Sequence, residues 1–389
     1  MFCMLILITI SLTFSITFVF SQRVFSDKIY NLKKREALYE KLDRIDRYVG
    51  DNFKGTIDEK VLLDSIAKGY VNGLGDEHSV YLTAAEYERV MAEAEGKIVS
   101  IGIRLMLNES GLPKIIEVYK NSPAEAVGLK IDDVIINIGT LKISAKNAPT
   151  IYLYLGGEAE SSVKLKVSRG GEILEFEAVR KLIEIPTVSS KVIDNIGYIS
   201  INSFSAPTPE QFDTALKGLR DKNVTGIIYD LRGNGGGTID SVAKVLNLLL
   251  PNGPIVFAEY KNGEKVLLEN AKGVKYNTPT IILINSKTAS AAELFTQALK
   301  DYNLTLAIVG TTSYGKGTMQ ETYKLPDGSA VLLTTARFFP PKSDNFDKIG
   351  ITPTNEVILT AEQEQNFYKL PLEKDPQFLK ALELFAIKK

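Results

Sequence analysis

The stretch NSKTASAAELF (residues 285–295) places a small hydroxyl side chain where an apolar run, PTIILI, gives way to a helix-forming segment. Ser290 stands at that turn, flanked by alanines. A serine hydroxyl is a poor nucleophile until a base takes its proton, and the usual base is histidine. The one histidine, His78, lies in the turn GDEHSVYLT, far upstream. A second stretch, GTTSYGKGTMQ (310–320), offers another base: Lys316, set between two glycines. A free lysine has a pKa of about 10.4, so work near neutrality needs a drop of roughly 3 units, about 4 kcal/mol against the ammonium. Burial supplies shifts of that size. Gln320 lies close enough along the chain to orient the amine. The bland readings are a capping serine, a structural histidine and an exposed lysine.

A third stretch, GNGGG (Gly233–Gly237), admits three readings. It lacks the Lys-Ser/Thr of a phosphate loop, and Thr238 stands where a dinucleotide fingerprint has its last glycine. A plain turn is the second reading. The third is an oxyanion hole, because glycine lets backbone N–H groups converge on one point with nothing blocking close approach.

The elements around these stretches fall into blocks. Residues 1–21 open with twenty uncharged, strongly apolar positions, enough to span a bilayer or to act as a signal peptide. Residues 27–95 read as helical. Leu38, Leu42, Ile45 and Val49 form an apolar stripe, and Thr83 with Glu86 has capping-box spacing. Residues 96–182 switch to short β-branched runs separated by glycines. From 183 to 359 strands and helices alternate, with VTGIIYDLR and PTIILIN as buried strands and TPEQFDTALKGLRDKN as a helix capped by Thr208. Residues 360–389 form a helical extension. With 46 basic and 47 acidic residues, no basic excess argues for nucleic acid. Cys3 is the sole cysteine, which excludes a disulfide framework and a cysteine metal site; the expectation is no metal and no cofactor.

SIGI (100–103) followed by SPAEAVGLKIDDVIINI resembles a PDZ domain in its circularly permuted bacterial form. In such a domain a ligand's C-terminal strand adds to a sheet edge while loop N–H groups hold its carboxylate. The resemblance assigns those donors to Ile101, Gly102 and Ile103. Asp132 stands where the family usually has glycine. Taken in order, DLRGNGGG, TASAAELF, VGTTSYGKGTMQ and GSAVLLTTARFFPP resemble the carboxyl-terminal processing (tail-specific) proteases, serine peptidase family S41. GYVNGLGDEHSVYLTAAEY and DPQFLKALELF are similar to flanking segments of that family.

The resemblance implies an α+β multidomain chain. Its parts would be an α/β crotonase/ClpP-like protease core, an inserted β-rich PDZ domain and a helical N-terminal segment. It implies a serine endopeptidase with Ser290 as nucleophile, Lys316 as general base and Gln320 supporting the lysine. The N–H groups of Gly236 and Ala291 would form the oxyanion hole. Thr288 and Ala292 replace two serines common in the family, and Gly235 replaces a common proline. Expected partners are polypeptides with accessible C-termini. An activating protein, a homodimer and membrane attachment through the N-terminus are left open. The expected location is extracytoplasmic, membrane-anchored or, if residues 1–21 are cleaved, secreted. Two other classes stay in view: an inactive peptide- or lipid-binding protein on the same fold, and a crotonase-type acyl-thioester enzyme.

Overall fold

The computed structural model describes residues 36–273 and 278–387. Its chain divides into two units, residues 1–66 and 67–389. The apolar segment 1–21 expected to be a signal or anchor lies outside the described residues. No helix among the described residues is long and apolar enough to cross a membrane.

In the first unit, residues 36–52 are helical. Its Arg44–Glu40 and Arg47–Asp43 pairs sit at i,i+4 spacing. The stripe expected to pack is largely bare, with Leu38 and Ile45 exposed. A helix, Glu59–Asn72, runs through the unit boundary.

The second unit is built on a six-stranded sheet. Its order is Val188–Ile193, Ile196–Ile201, Gly226–Asp230, Thr280–Ile284, Thr305–Gly310 and Asn355–Glu356. All neighbours are parallel except the first pair. GIIYD and TIILI are buried at every position. Continuous apolar runs of this kind are what a parallel sheet covered on both faces demands. Helices Thr208–Asp221, Ile239–Asn247 and Ala291–Asp301 pack against one face around Phe204, Phe212, Tyr229 and Phe295. Helix Pro376–Ile387 covers the other face through Phe378, Ala381 and Phe385. Thr208, expected as a cap, is instead the first helical residue. Its buried hydroxyl accepts from Ser205 N–H at 3.0 Å and donates to Thr187 Oγ1 at 2.9 Å.

A second, five-stranded sheet lies beside it. Strand Ala330–Phe339 pairs with Thr318–Lys324, Gly253–Tyr260 and the short Val80–Leu82. The segment expected to be helical before residue 95 therefore contains a strand, because Val80 and Tyr81 belong to a pleated edge. Thr83 caps the following helix, Ala84–Ala94, in a capping box with Glu86.

The inserted module is a six-stranded antiparallel sheet over its own core. Ser162–Arg169 alternates exposed and buried along SVKLKV, the period of a half-buried strand. Strand Ile103–Leu107 is an edge. The module hangs from the core by two paired strands, Lys97–Ser100 and Lys181–Glu184. At its turn Asp132 takes φ 74°, the left-handed conformation that favours glycine. The carboxylate has compensating partners, Tyr368 Oη at 2.8 Å and Lys369 Nζ at 2.7 Å.

Burial is most exacting at Arg232, in the DLR preceding the glycine loop. Its guanidinium donates to Asp230 and Gln377 and pairs with Asp375 at 2.7 Å, all buried. The two carboxylates hold the guanidinium protonated, its pKa pushed above the usual arginine value against the effect of burial. Removing one partner of such a cluster leaves charge uncompensated in the interior. Asp375→Ala is expected to lower unfolding free energy by roughly 3–5 kcal/mol in urea titration. A loss below about 1 kcal/mol, the scale of an exposed pair, would contradict this account.

Candidate active site

Four loops converge at the carboxyl ends of the parallel strands. After strand Thr280–Ile284 the chain turns at Ser290, whose φ of 55° and ψ of −118° are unusual for a residue with a side chain. Such a turn costs of order 1–3 kcal/mol and persists only where its surroundings hold it. Ala289 N–H bonds Asn234 O at 2.9 Å, which ties the serine turn to the glycine loop. Gly233 N–H bonds Asn285 Oδ1 at 3.0 Å, a second tie. Thr288 Oγ1 donates to Leu231 O at 2.9 Å. The residue is thereby a brace, and Ala292 is packed in the core.

The strongest tie is Glu293, fully buried in the first turn of helix Ala291–Asp301. Its carboxylate accepts from the N–H of Ser290 (2.8 Å), Gly315 (2.7 Å) and Lys316 (2.9 Å), and from Ser313 Oγ (2.6 Å). One side chain thus fastens the backbone of the candidate nucleophile to that of the candidate base. Burial raises the Glu293 pKa above the ordinary carboxylate value, and these four donors oppose the shift. Sequence reasoning did not single out Glu293. The signal was present, because it follows Ser290 by the three residues of a capping box.

Lys316 is half-buried on a loop fixed on its far side as well. Gly317 N–H bonds Asp347 Oδ1 at 3.0 Å, and Lys348 N–H bonds Gly315 O at 2.7 Å. Desolvation lowers the amine's pKa from the ordinary lysine value, while the carboxylates of Asp76 and Glu77 act in the opposite direction. Ser290 and Lys316 are brought onto neighbouring turns, but no hydrogen bond between Oγ and Nζ is recorded among the described residues. Gln320, on strand Thr318–Lys324, donates through Nε2 to Thr318 Oγ1 and Thr334 Oγ1, each at 3.1 Å. His78 stays in its turn, its ring 6.4 Å from that of Tyr314.

The two expected oxyanion donors differ in state. Gly236 lies hard against the nucleophile: a Cβ on it would fall 2.8 Å from Ser290 Cβ. Its N–H, however, donates to Asn234 Oδ1 at 2.8 Å. The Ala291 N–H, at the helix start, has no acceptor recorded among the described residues. An oxyanion would have to draw the Gly236 N–H away from Asn234 to receive both.

A cavity of about 930 Å³ joins this site to the inserted module. Ser290, Gln320 and Gly237 line it from the core, and Gly102, Ile103 and Tyr152 from the module. Gly102 has φ 81°, and a Cβ there would meet Ser122 Cβ at 2.4 Å. Ile101 is fully buried and its carbonyl accepts from Ala124 N–H. Along the free edge Ile103–Leu107, Tyr152 Oη donates to Leu105 O at 3.3 Å. A second cavity, of about 1010 Å³, is lined by Arg232, Lys287 and Phe367 and includes neither Ser290 nor Gln320. No cluster of His, Cys, Asp and Glu suited to a metal ion occurs among the described residues.

Residues 195–357 match Peptidase family S41, and residues 99–179 match the PDZ domain. The chain is 32% identical over 321 residues to the carboxy-terminal processing protease CtpA of Bacillus subtilis, covering 82% of this chain and 68% of that protein. It is 30% identical over 351 residues to CtpB of the same organism, covering 88% and 72%. The photosystem II D1 C-terminal processing protease shares the fold at a TM-score of 0.54 and 23% identity, over 78% of this chain and 84% of that one. A strand-to-helix serine beside a glycine loop, an inserted PDZ module and relatives of this closeness lead to one conclusion: the chain belongs to the carboxy-terminal processing proteases of Peptidase family S41 and is a serine-type endopeptidase.

Proposed function

We propose that Ser290 and Lys316 form the catalytic dyad and that the PDZ domain presents substrate C-termini to it. The observation that carries this reading is the Glu293 carboxylate, which binds the backbone of both residues. In acylation Ser290 Oγ attacks a peptide carbonyl carbon and its proton passes to the neutral Lys316 amine. The resulting ammonium returns that proton to the leaving nitrogen as the C–N bond breaks. Water then attacks the acyl-enzyme, with Lys316 again taking and returning a proton. Charge on the carbonyl oxygen develops beside the unengaged Ala291 N–H, with Gly236 as the second donor once released from Asn234. A lysine side chain has four rotatable bonds, so a rotamer change can close Nζ onto Oγ without moving the backbone that Glu293 holds.

The PDZ edge supports recognition of C-termini. Strand Ile103–Leu107 has an open side for an added strand, and the Ile101 and Gly102 N–H groups have no recorded backbone acceptor among the described residues. Because Gly102 and Ser290 line one cavity, a bound tail lies on the route to the nucleophile. The uncharged opening segment supports exported polypeptides as the substrates.

Ser290→Ala and Lys316→Ala are each expected to abolish peptide hydrolysis while leaving the melting temperature unchanged. The wild-type rate should rise with pH through an apparent pKa below the ordinary lysine value, because the neutral amine is the base and desolvation disfavours the ammonium. Near-complete activity in Lys316→Ala would remove the dyad.

Glu293→Gln puts an amide NH₂ among three backbone N–H groups, which only donate, and the Ser313 hydroxyl. Its expected effect is a fall in kcat of about 10- to 100-fold, the equivalent of roughly 1–3 kcal/mol for buried donors left unmet. Steady-state kinetics on the folded variant check this, and an unchanged kcat would contradict it.

Amidating the C-terminus of a peptide substrate should raise KM by about tenfold or more, since a charge-assisted contact of roughly 1.5–3 kcal/mol is lost. Equal KM for free and amidated tails would exclude carboxylate capture by the PDZ loop.

A further inference from the structure

Strand Ile103–Leu107 can offer an added strand only the backbone groups that face away from its own sheet. Its pairing with Pro113–Val118 says which these are. Ile115 spends its N–H on Asp133 O and its C=O on Asp132 N–H, each at 2.8 Å, both on the far side of its strand. Its register partner Leu105 therefore stands in a pair that exchanges no hydrogen bonds, and the Leu105 N–H and C=O point out of the sheet edge. At the start of the strand, Tyr119 N–H bonds Gly102 O at 3.0 Å, so the next residue, Ile103, faces outward as well. Ile103 and Leu105 are the rungs on which a C-terminal strand would be added.

The Leu105 rung is already taken. Tyr152, in helix Ile151–Leu155, donates its hydroxyl to Leu105 O at 3.3 Å. A carbonyl oxygen has two lone pairs, so this bond alone does not bar a second donor. Bulk does. An added strand lies about 4.8 Å from the edge, and the tyrosine oxygen stands inside that layer. The ring is also gripped from the protease core. The Arg89 guanidinium, on helix Ala84–Ala94, sits 5.4 Å from its centroid, within cation–π range. Arg89 is itself directed by Glu93, one turn on, at 2.8 Å. Arg89, Tyr152 and Ile103 line the same cavity as Ser290.

We propose that Tyr152 is a latch across the PDZ groove: a substrate's C-terminal strand gains the Leu105 rung only by displacing the tyrosine hydroxyl. This rests on the PDZ domain binding substrate C-termini. Opening the latch gives up the bond to Leu105 and draws the ring off Arg89. The apparent affinity for a tail is then the intrinsic affinity reduced by the fraction of molecules with the latch open. Because Arg89 belongs to the core, the latch is made where the two modules meet.

The test is equilibrium binding of a fluorescein-labelled peptide with a free C-terminal carboxylate to the Ser290→Ala protein, which does not consume the probe. Tyr152→Phe keeps the ring and removes the donor to Leu105. It should bind the peptide about 3- to 10-fold more tightly than the Tyr152 protein. Arg89→Met removes the grip and leaves the hydroxyl, and should tighten binding by about 2- to 3-fold. With Ser290 intact, Tyr152→Phe should lower KM by the same factor as the binding constant and hold kcat within about twofold. A merely structural tyrosine would instead lower the melting temperature with no gain in affinity. Weaker binding in Tyr152→Phe would make the hydroxyl a contact of the bound tail and overturn the latch, as would unchanged binding. Unchanged binding in Arg89→Met would overturn the grip from the core. The C-terminal amide of the same peptide separates this inference from the reading beneath it. If the Tyr152 protein prefers the free carboxylate and Tyr152→Phe gains nothing, the latch alone falls. If both proteins bind acid and amide equally, carboxylate capture falls and the latch with it.

Discussion

A carboxylate sealed from water is expensive, and Glu293 is sealed completely. Four donors meet it, among them Ser313 Oγ, which keeps its lone pair for Ile351 N–H at 2.6 Å and gives its hydrogen to Glu293. Because every partner donates, the site is built for the ionised form. Yet burial holds the folded pKa above the ordinary value. The sign of the linkage follows. A carboxyl that binds its proton more tightly in the fold adds stability below its unfolded pKa and loses it as pH rises through the folded value. At neutral pH, then, the charge on Glu293 does not stabilise the protein through its titration. What it does is geometric: it fixes two turns that the sheet delivers separately. The rest of the core supplies the energy for that constraint, through strands buried at every position and the aromatic cluster of Phe204, Phe212, Tyr229 and Phe295.

The remaining braces follow the same pattern. Each loop of the site is held by a side chain on another loop: Asn285 on Gly233, Thr288 on Leu231, Asp347 on Gly317. None of these contacts is helical or strand hydrogen bonding. A serine at φ 55° needs such support beyond the bonds of its own turn, from Ser290 N–H to Glu293 and from Asn285 N–H to Thr288 Oγ1.

This division marks what is legible in the sequence. The buried strands GIIYD and TIILI, the glycine loop and the Thr83 capping box announce themselves, because each depends on neighbours within a few residues. The α/β core and a β-rich insert are readable from the same local periods, and the resemblance of SIGI and SPAEAVGLKIDDVIINI to a PDZ domain says what the insert is. The strand Val80–Leu82 is not, since three residues gain their pleat only by pairing with Ala330–Leu332. The hairpin Gly253–Tyr260 with Lys265–Ala271 is absent from the expected strands, although Asn262-Gly263 is a strong turn signal. Thr208 falls one residue from its expected place because its hydroxyl answers to Thr187, which is remote in sequence. Asp132 illustrates the reverse: the turn wants glycine, and what permits aspartate is a tyrosine and a lysine more than two hundred residues away.

Those two residues belong to the C-terminal segment, which has hold of both modules, and magnitudes separate its two grips. Toward the core, Asp375 and Gln377 meet Arg232 in a buried cluster whose disruption costs several kcal/mol. Toward the PDZ domain, Lys369 meets Asp132 where both side chains are more than 40% exposed, and Gln365 meets Glu109 at the surface. Pairs of that kind contribute about 0–1 kcal/mol each and weaken with salt. The segment is therefore part of the protease core energetically, and only leans on the PDZ domain. Any rearrangement that reshapes the cavity shared by Gly102 and Ser290 would part these surface contacts long before it disturbed Arg232 and the glycine loop behind it.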